Sequence, residues 1–383
     1  IAAGLLMFVP LLPRLSEVYI GASRTDMKMT YRNWIRHAVR SVYEGEIPLW
    51  NPFIYCGQPF MPSTHGTLFY PPNWPFLLTL PQPLSINLAL MTQVAILAAG
   101  TVFFARTRGT SNLAALLAGM LASMGSLTVC RIFAGHFTMV CTAVWIPLLF
   151  ALQECLFRGE RRMIVAFALA GAVMFMGGHL QYAYYYGVFL SLSLLLHALL
   201  GPPPSSGSRF RWLGRQVTWQ LGAGALAFAL VAIEALPALD IASHSMRSTG
   251  KNLQFLREFA MPPAQLVTAI APRFFGKGLD YWGRWEWWEA TFYFGVTGLV
   301  LALAAAGVRT ARARRTEPIT VLFFLCILIA ISGYLPLLPK IFQYVPGWMM
   351  FRGHNRPLSF ALIFGTILAA HGFDALRADL AGR

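Results

Sequence analysis

An aspartate, Asp26, stands directly before a run in which Lys28, Arg32, Arg36 and Arg40 recur at every fourth residue. A carboxylate can take a proton from a reacting hydroxyl, and a row of cations can hold a phosphate. The fourfold spacing puts the cations on one stripe of a helix. Met27, Tyr31, Trp34, Ile35, Ala38, Val39 and Val42 recur at helical spacing beside it, so the pattern predicts a helix over 27–43. A basic stripe beside an aromatic and apolar face is the signature of a helix lying in a membrane interface. Two roles stay open for Asp26: a cap on the helix N-terminus, or a catalytic base. The neighbouring Arg24 and Lys28 are expected to depress its pKa.

Further polar groups recur at the ends of apolar runs. Arg131 and His136 flank a turn, and His179 and Gln181 follow Gly177-Gly178. Glu234 lies inside an apolar run, and ionisable residues there are functional candidates. His136, His179, Gln181, Glu234 and His354 are therefore candidate substrate-binding residues. Arg352, Arg356, Arg247 and Arg273 are candidates for a donor phosphate, because guanidinium binds phosphate in a bidentate fork. The competing reading is that these arginines only snorkel to the interface. Glu289, beside Trp285, Trp287 and Trp288, is the second candidate catalytic acid. No HxxxH spacing occurs among the histidines. The five cysteines, Cys56, Cys130, Cys141, Cys155 and Cys326, form no CxxC pair, so neither a metal motif nor a disulfide framework follows.

These residues must be positioned by membrane helices. The 383 residues are 57% hydrophobic and 12% charged, against about 25% charged in soluble domains. A soluble multi-domain enzyme is excluded by that balance. Apolar runs centre on 84–105, 112–130, 138–157, 163–178, 180–200, 217–238, 291–308, 318–338 and 357–375. The run Ile1–Leu12 falls short of the roughly 20 residues a span needs and reads as part of a longer first helix. The fold class expected is thus an all-α integral membrane protein, one polytopic domain over 1–383 with about ten spans. Arginines mark alternate loops: Arg106 and Arg108; Arg158, Arg161 and Arg162; Arg209, Arg211 and Arg215; Arg309, Arg312, Arg314 and Arg315. The positive-inside rule makes those loops cytoplasmic. Loops 13–83 and 239–290, the turns at 131–137 and 177–181, and segment 339–356 are then external. Every candidate residue above falls on that external side. In loop 13–83, Trp50, Phe53, Tyr55, Phe60, Phe69, Tyr70 and Trp74 suit an aromatic belt. The net charge of +15 is scattered through loops between spans, which points to anionic lipid or a phosphate-bearing substrate rather than nucleic acid.

Several short motifs follow one another along the chain. They are Asp26, Gly45-Glu46-Ile47-Pro48-Leu49-Trp50-Asn51-Pro52, Gly57-Gln58-Pro59, Tyr70-Pro71-Pro72, Gly178-His179-Leu180-Gln181 and the Glu234–Pro237–Asp240–Ser245–Arg247 succession. They continue in Met261-Pro262-Pro263, Pro272-Arg273-Phe274-Phe275-Gly276, Tyr281-Trp282-Gly283, Glu289 with Tyr293-Phe294-Gly295, and Phe351-Arg352-Gly353-His354-Asn355-Arg356-Pro357. In this order they resemble the bacterial YfhO-like membrane proteins of the GT-C class of polytopic glycosyltransferases, and the resemblance covers nearly the whole chain. It implies sugar transfer from a polyprenyl-phosphate-linked sugar to an envelope glycopolymer, lipid or protein acceptor, on the outer face of the bacterial inner membrane. It also implies that Asp26 is the base. Many members of the class pair that acid with a second one. Residue 27 here is Met, so the pair that would bridge a metal is missing. No cofactor is expected on this reading, with a divalent metal left open.

Two other classes compete: a lipid-linked-sugar flippase or transporter, and a non-catalytic membrane protein of envelope assembly. A transporter concentrates ionisable groups near mid-bilayer, whereas here they gather at one set of helix ends. The orientation is testable by itself. In a background without the native cysteines, S206C should react with an impermeant thiol reagent only after the cells are permeabilised. Labelling from outside intact cells would invert the assignment.

Overall fold

A computed structural model describes residues 2–22, 25–61, 66–201, 208–244, 253–307 and 313–382. Among them the only strands are the antiparallel pair Trp50–Asn51 and Gln58–Pro59. All other regular structure is helical. Seven helices are long and apolar enough to cross a membrane: Leu84–Thr107, Asn112–Phe133, Phe137–Phe157, Leu180–Leu200, Arg209–His244, Thr316–Tyr334 and Leu358–Ala381.

The other expected spans are shorter elements. Met163–Met176 and Val296–Gly307 are apolar helices of 14 and 12 residues. Gly178, at φ +87°, follows the first, and Gly295, at φ +91°, precedes the second, so left-handed backbone bounds each helix at one end. The N-terminal run is a turn of helix, Ala2–Leu5, continued as a 3-10 helix over Leu6–Arg14. Pro10 and Pro13 lie in that stretch and lack the N–H groups an α-helical ladder needs.

The helix Leu358–Ala381 is the axis of the bundle. Residues 358–370 are buried on every side, and helices Val296–Gly307, Ala313–Ile331 and Asn112–Met124 pack around them. A helix apolar all round has no solvent face to present, so it takes the centre. Gly372 permits the tightest approach, because a Cβ there would run into the backbone carbonyl of Leu301.

In loop one, a single π-helical turn, Met27–Tyr31, leads into the helix Arg32–Tyr43. Arg32, Arg36 and Arg40 are exposed along one stripe, as the spacing requires. The apolar face differs from the expectation of a lipid-facing surface. Met27, Tyr31, Ile35 and Ala38 are buried in the protein, and the Tyr31 ring lies 6.3 Å from Phe137. The same side chains that would anchor the helix to lipid are used to dock it on the bundle.

The aromatic segment also divides. Trp50, Phe53 and Tyr55 are exposed, but Phe60 and Tyr70 are buried. The Tyr70 hydroxyl donates to Gln93 Oε1 at 2.7 Å and accepts from Trp145 Nε1 at 2.9 Å. Gln93 Nε2 in turn donates to Asn73 Oδ1 at 3.0 Å. This network ties the end of loop one to two helices. Tyr70→Phe leaves a buried acceptor and a buried donor unpaired, and should lower unfolding stability in detergent by about 1–3 kcal/mol. A melting curve superimposable on the native one would show that the network carries no weight.

Candidate functional site

Asp26 does not cap the loop-one helix. Its φ of −54° and ψ of −30° are helical, and its side chain makes no capping bond. A cap needs extended backbone so that the side chain can fold back on the first free N–H groups. The carboxylate instead points to the turn before Phe137–Ala143, with Oδ2 3.6 Å from His136 Nε2. Partial desolvation, and then the nearby Glu286 carboxylate, raise the Asp26 pKa above its ordinary 3.8. This reverses the expected depression by neighbouring cations. Arg24 lies outside the described residues, and Lys28 extends into solvent.

The backbone brings the two segments together. Gly135 adopts φ +73°, and a Cβ there would collide with the backbone nitrogen of Met27. Only glycine accepts both the dihedral and the contact. The Tyr31 hydroxyl shares a hydrogen bond of 3.0 Å with Thr138 Oγ1, one turn along the same helix. His136 is buried, and burial followed by the positive charges of Arg131 and Arg356 pushes its pKa down to about 2. Its imidazole is therefore neutral. Its Nδ1 has no hydrogen-bond partner. At 3.6 Å the Asp26–His136 pair is too long for a direct hydrogen bond.

Behind this pair lies a buried ionic cluster. Glu289, on the short helix Trp287–Ala290, pairs with Arg131 Nη1 at 2.7 Å and with the Arg356 guanidinium. Asn355 Nδ2 donates to Glu289 Oε2 at 3.0 Å. The side chains of Arg131, Glu289 and Arg356 are 6%, 6% and 13% exposed, so water screens them little. Two guanidinium groups on one carboxylate leave one positive charge in excess. Burial and the adjacent Arg131 lower the proton affinity of Arg356. Arg356 Nε and Asn355 Oδ1 are buried without hydrogen-bond partners. The three side chains thus carry one positive charge in excess, which the nearby Glu286 partly offsets, and Arg356 Nε is an unused donor for an anion. Glu289 is committed as counter-ion to both arginines, which removes it as a free acid.

The remaining sequence candidates are distributed more widely. His179 accepts from the Tyr182 backbone N–H through Nδ1 at 3.3 Å and lies within electrostatic range of His136. Gln181 Nε2 donates to the Arg352 carbonyl at 2.6 Å, which pins the last loop to the helix Leu180–Leu200. Arg352 itself pairs with Glu258 at 3.4 Å and stacks over Phe259. His354 is fully buried with both ring nitrogens engaged. It accepts from Trp348 Nε1 at 2.8 Å, so its Nδ1–H faces Ser332 Oγ at 3.0 Å. It holds the loop rather than meeting a ligand, and burial lowers its pKa to about 4. Glu234 is buried between Val231 and Ala235, which pack on Ala172, and its Oε2 has no partner. Arg273 is exposed, and Arg247 lies outside the described residues.

Asp26, His136, His179, Glu289 and Arg356 are therefore brought to one region, whereas Glu234, His354 and Arg273 serve elsewhere. Arg131, Asn355 and Glu286 belong to the region although their spacing did not single them out. An arginine embedded in Ser126–Phe133, an otherwise apolar helix, was the available signal for Arg131. Among the described residues, no group of three or more His, Cys, Asp or Glu side chains is arranged to hold a metal ion.

Comparison with family models, with curated proteins and with solved structures gives no match for this chain. The site therefore rests on its own geometry. Removing the charge of Glu289 leaves two buried guanidinium groups facing each other, so Glu289→Gln should cost about 3–5 kcal/mol of stability. Thermal unfolding of the purified protein would measure it. A loss below about 1 kcal/mol, the scale of a surface pair, would mean that the cluster is solvated and not a clamp.

Proposed function

We propose that the protein is a membrane glycosyltransferase of the GT-C, YfhO-like type. On this reading it moves a sugar from a polyprenyl-phosphate donor to a hydroxyl of an envelope polymer, lipid or protein. The reaction takes place on the outer face of a bacterial inner membrane. The observation that carries the reading is that a partly desolvated carboxylate, Asp26, and a buried cluster of two arginines on one carboxylate, Arg131–Glu289–Arg356, both lie near His136. Glycosyl transfer from a lipid phosphate needs both in one place.

The acceptor oxygen attacks the anomeric carbon and its proton passes to the Asp26 carboxylate. The bond from that carbon to the phosphate oxygen breaks, and the phosphate leaves with its negative charge facing Arg131 and Arg356. Glu289 and Asn355 keep those guanidinium groups in place before the donor arrives, so little reorganisation is needed at the reacting moment. His136, neutral beside Asp26, adds no positive charge that would weaken the base. Gln181 and Arg352 fix the loop that carries Asn355 and Arg356.

A raised pKa makes Asp26 a better proton acceptor. The base works only when ionised, so transfer should fall as pH drops through a value above the ordinary aspartate range. Asp26→Asn keeps the size and the backbone but cannot accept the proton. Purified protein given labelled polyprenyl-phosphate sugars and extracted envelope polymers should lose about 10²–10⁴-fold in rate with this variant while still binding donor. Near-normal turnover by the Asn variant would remove Asp26 from the chemistry.

A further inference from the structure

The end of the bundle opposite Asp26 holds a second polar region that glycosyl transfer does not use. An open cavity of about 610 Å³ lies between the C-terminal ends of Leu84–Thr107 and Leu358–Ala381 and the N-terminal end of Asn112–Met124. Arg106, Arg108 and Arg377 line it, together with Ser111, Thr316 and Asp374. We propose that this cavity binds a phosphate group, on a lipid headgroup or as a free anion.

Charge bookkeeping at the wall supports an anion. Asp374 is the one carboxylate among the lining residues, and it is already used: its oxygens accept from the Ser111 backbone N–H at 2.7 Å and from the Ser111 hydroxyl. Glu154, outside the cavity, pairs with Arg108. That leaves three guanidinium groups against two committed carboxylates. Arg108 is 5% exposed, and its Nε has no hydrogen-bond partner. A buried guanidinium with an unmet N–H is an arrangement that a phosphate oxygen near the wall would complete. Arg106 and Arg377 are exposed at the mouth; Arg106 Nη1 donates to the Thr110 carbonyl, which leaves its other N–H groups to meet a headgroup. The position matters as much as the charge. Arg106 and Arg108 stand at the end of one membrane-length helix, and Arg377 in the last turns of another, the depth at which lipid phosphates lie. Leu113, Leu376 and Leu380, beside lining residues in the chain, are exposed apolar side chains that acyl chains can cover. A basic pocket between helix ends is the usual form of an anionic headgroup site.

The test uses the full chain in neutral detergent, with the double variant Arg106→Gln/Arg377→Gln. Both residues are exposed, so folding should survive. Arg108 is left alone because its pair with Glu154 is structural. Arg158→Gln/Arg161→Gln, two exposed arginines in another loop with the same loss of charge, is the control. Binding of phosphatidylglycerol by native mass spectrometry, and of inorganic phosphate by thermal shift, would be measured for each. The native protein and the Arg158/Arg161 control should bind at least one probe, and Arg106→Gln/Arg377→Gln should bind it about tenfold more weakly or not at all. Selective loss of phosphatidylglycerol binding assigns a lipid headgroup, and selective loss of phosphate binding assigns a free anion. The proposal is overturned if neither probe binds the native protein, or if Arg106→Gln/Arg377→Gln matches it. It is equally overturned if Arg158→Gln/Arg161→Gln weakens binding as much as Arg106→Gln/Arg377→Gln, which would mean bulk charge and no site.

Discussion

The interaction on which this molecule turns is the one between Glu289 and its two arginines. A carboxylate removed from water is costly unless matched by cations and hydrogen bonds, and here Arg131, Arg356 and Asn355 supply them from separate segments. Three parts of the chain are forced to meet at one point: a helix end in the middle of the sequence, the second large loop and the segment before the central helix. Loop one is seated on the same structure through Gly135 and Thr138, so Asp26 inherits its position from the clamp rather than from its own helix. The electrostatic consequences follow in order. Burial and then two cations keep His136 neutral, and burial together with Glu286 keeps the Asp26 carboxyl above its ordinary range.

How much of this could be read from sequence depends on which physical term sets each feature. Helix existence and the basic stripe of the loop-one helix follow from spacing, and the structure has them. Whether Met163–Met176 and Val296–Gly307 suffice to span is less legible, because hydropathy averages over windows while helix ends are set by single glycines. The destination of an apolar face is not legible at all. Tyr31 and Ile35 satisfy a lipid surface and a protein groove equally well, and only the shape of the turn at Gly135 decides between them. The same holds for Tyr70, an aromatic near a membrane by sequence and a buried hydrogen-bond hub by structure.

For the site the limit is different. Sequence supplied residue types that bear charge near helix ends, and five of the candidates do converge. It could not rank them, because a role depends on partners remote in the chain. His354 and Arg356 are two positions apart. One has both nitrogens occupied in a buried loop, and the other retains an unmet N–H in a field of excess charge. Arg131 was legible as a polar group beside a turn but not as a site residue, because a single arginine in an apolar helix is compatible with simple snorkelling until its carboxylate is known.

The order of the segments along the chain adds a temporal dimension to the clamp. Synthesis runs from the N-terminus, so Asp26 and Arg131 emerge early, Glu289 much later and Arg356 just before the final long helix. Until Arg356 arrives, Glu289 has one guanidinium where the finished fold gives it two. The candidate site is therefore incomplete in any nascent intermediate that lacks Arg356: such a chain carries a neutral Arg131–Glu289 pair without the excess positive charge. Assembly of the candidate site and the arrival of the segment before Leu358–Ala381 are one event, which couples the geometry of the cluster to the seating of the central helix.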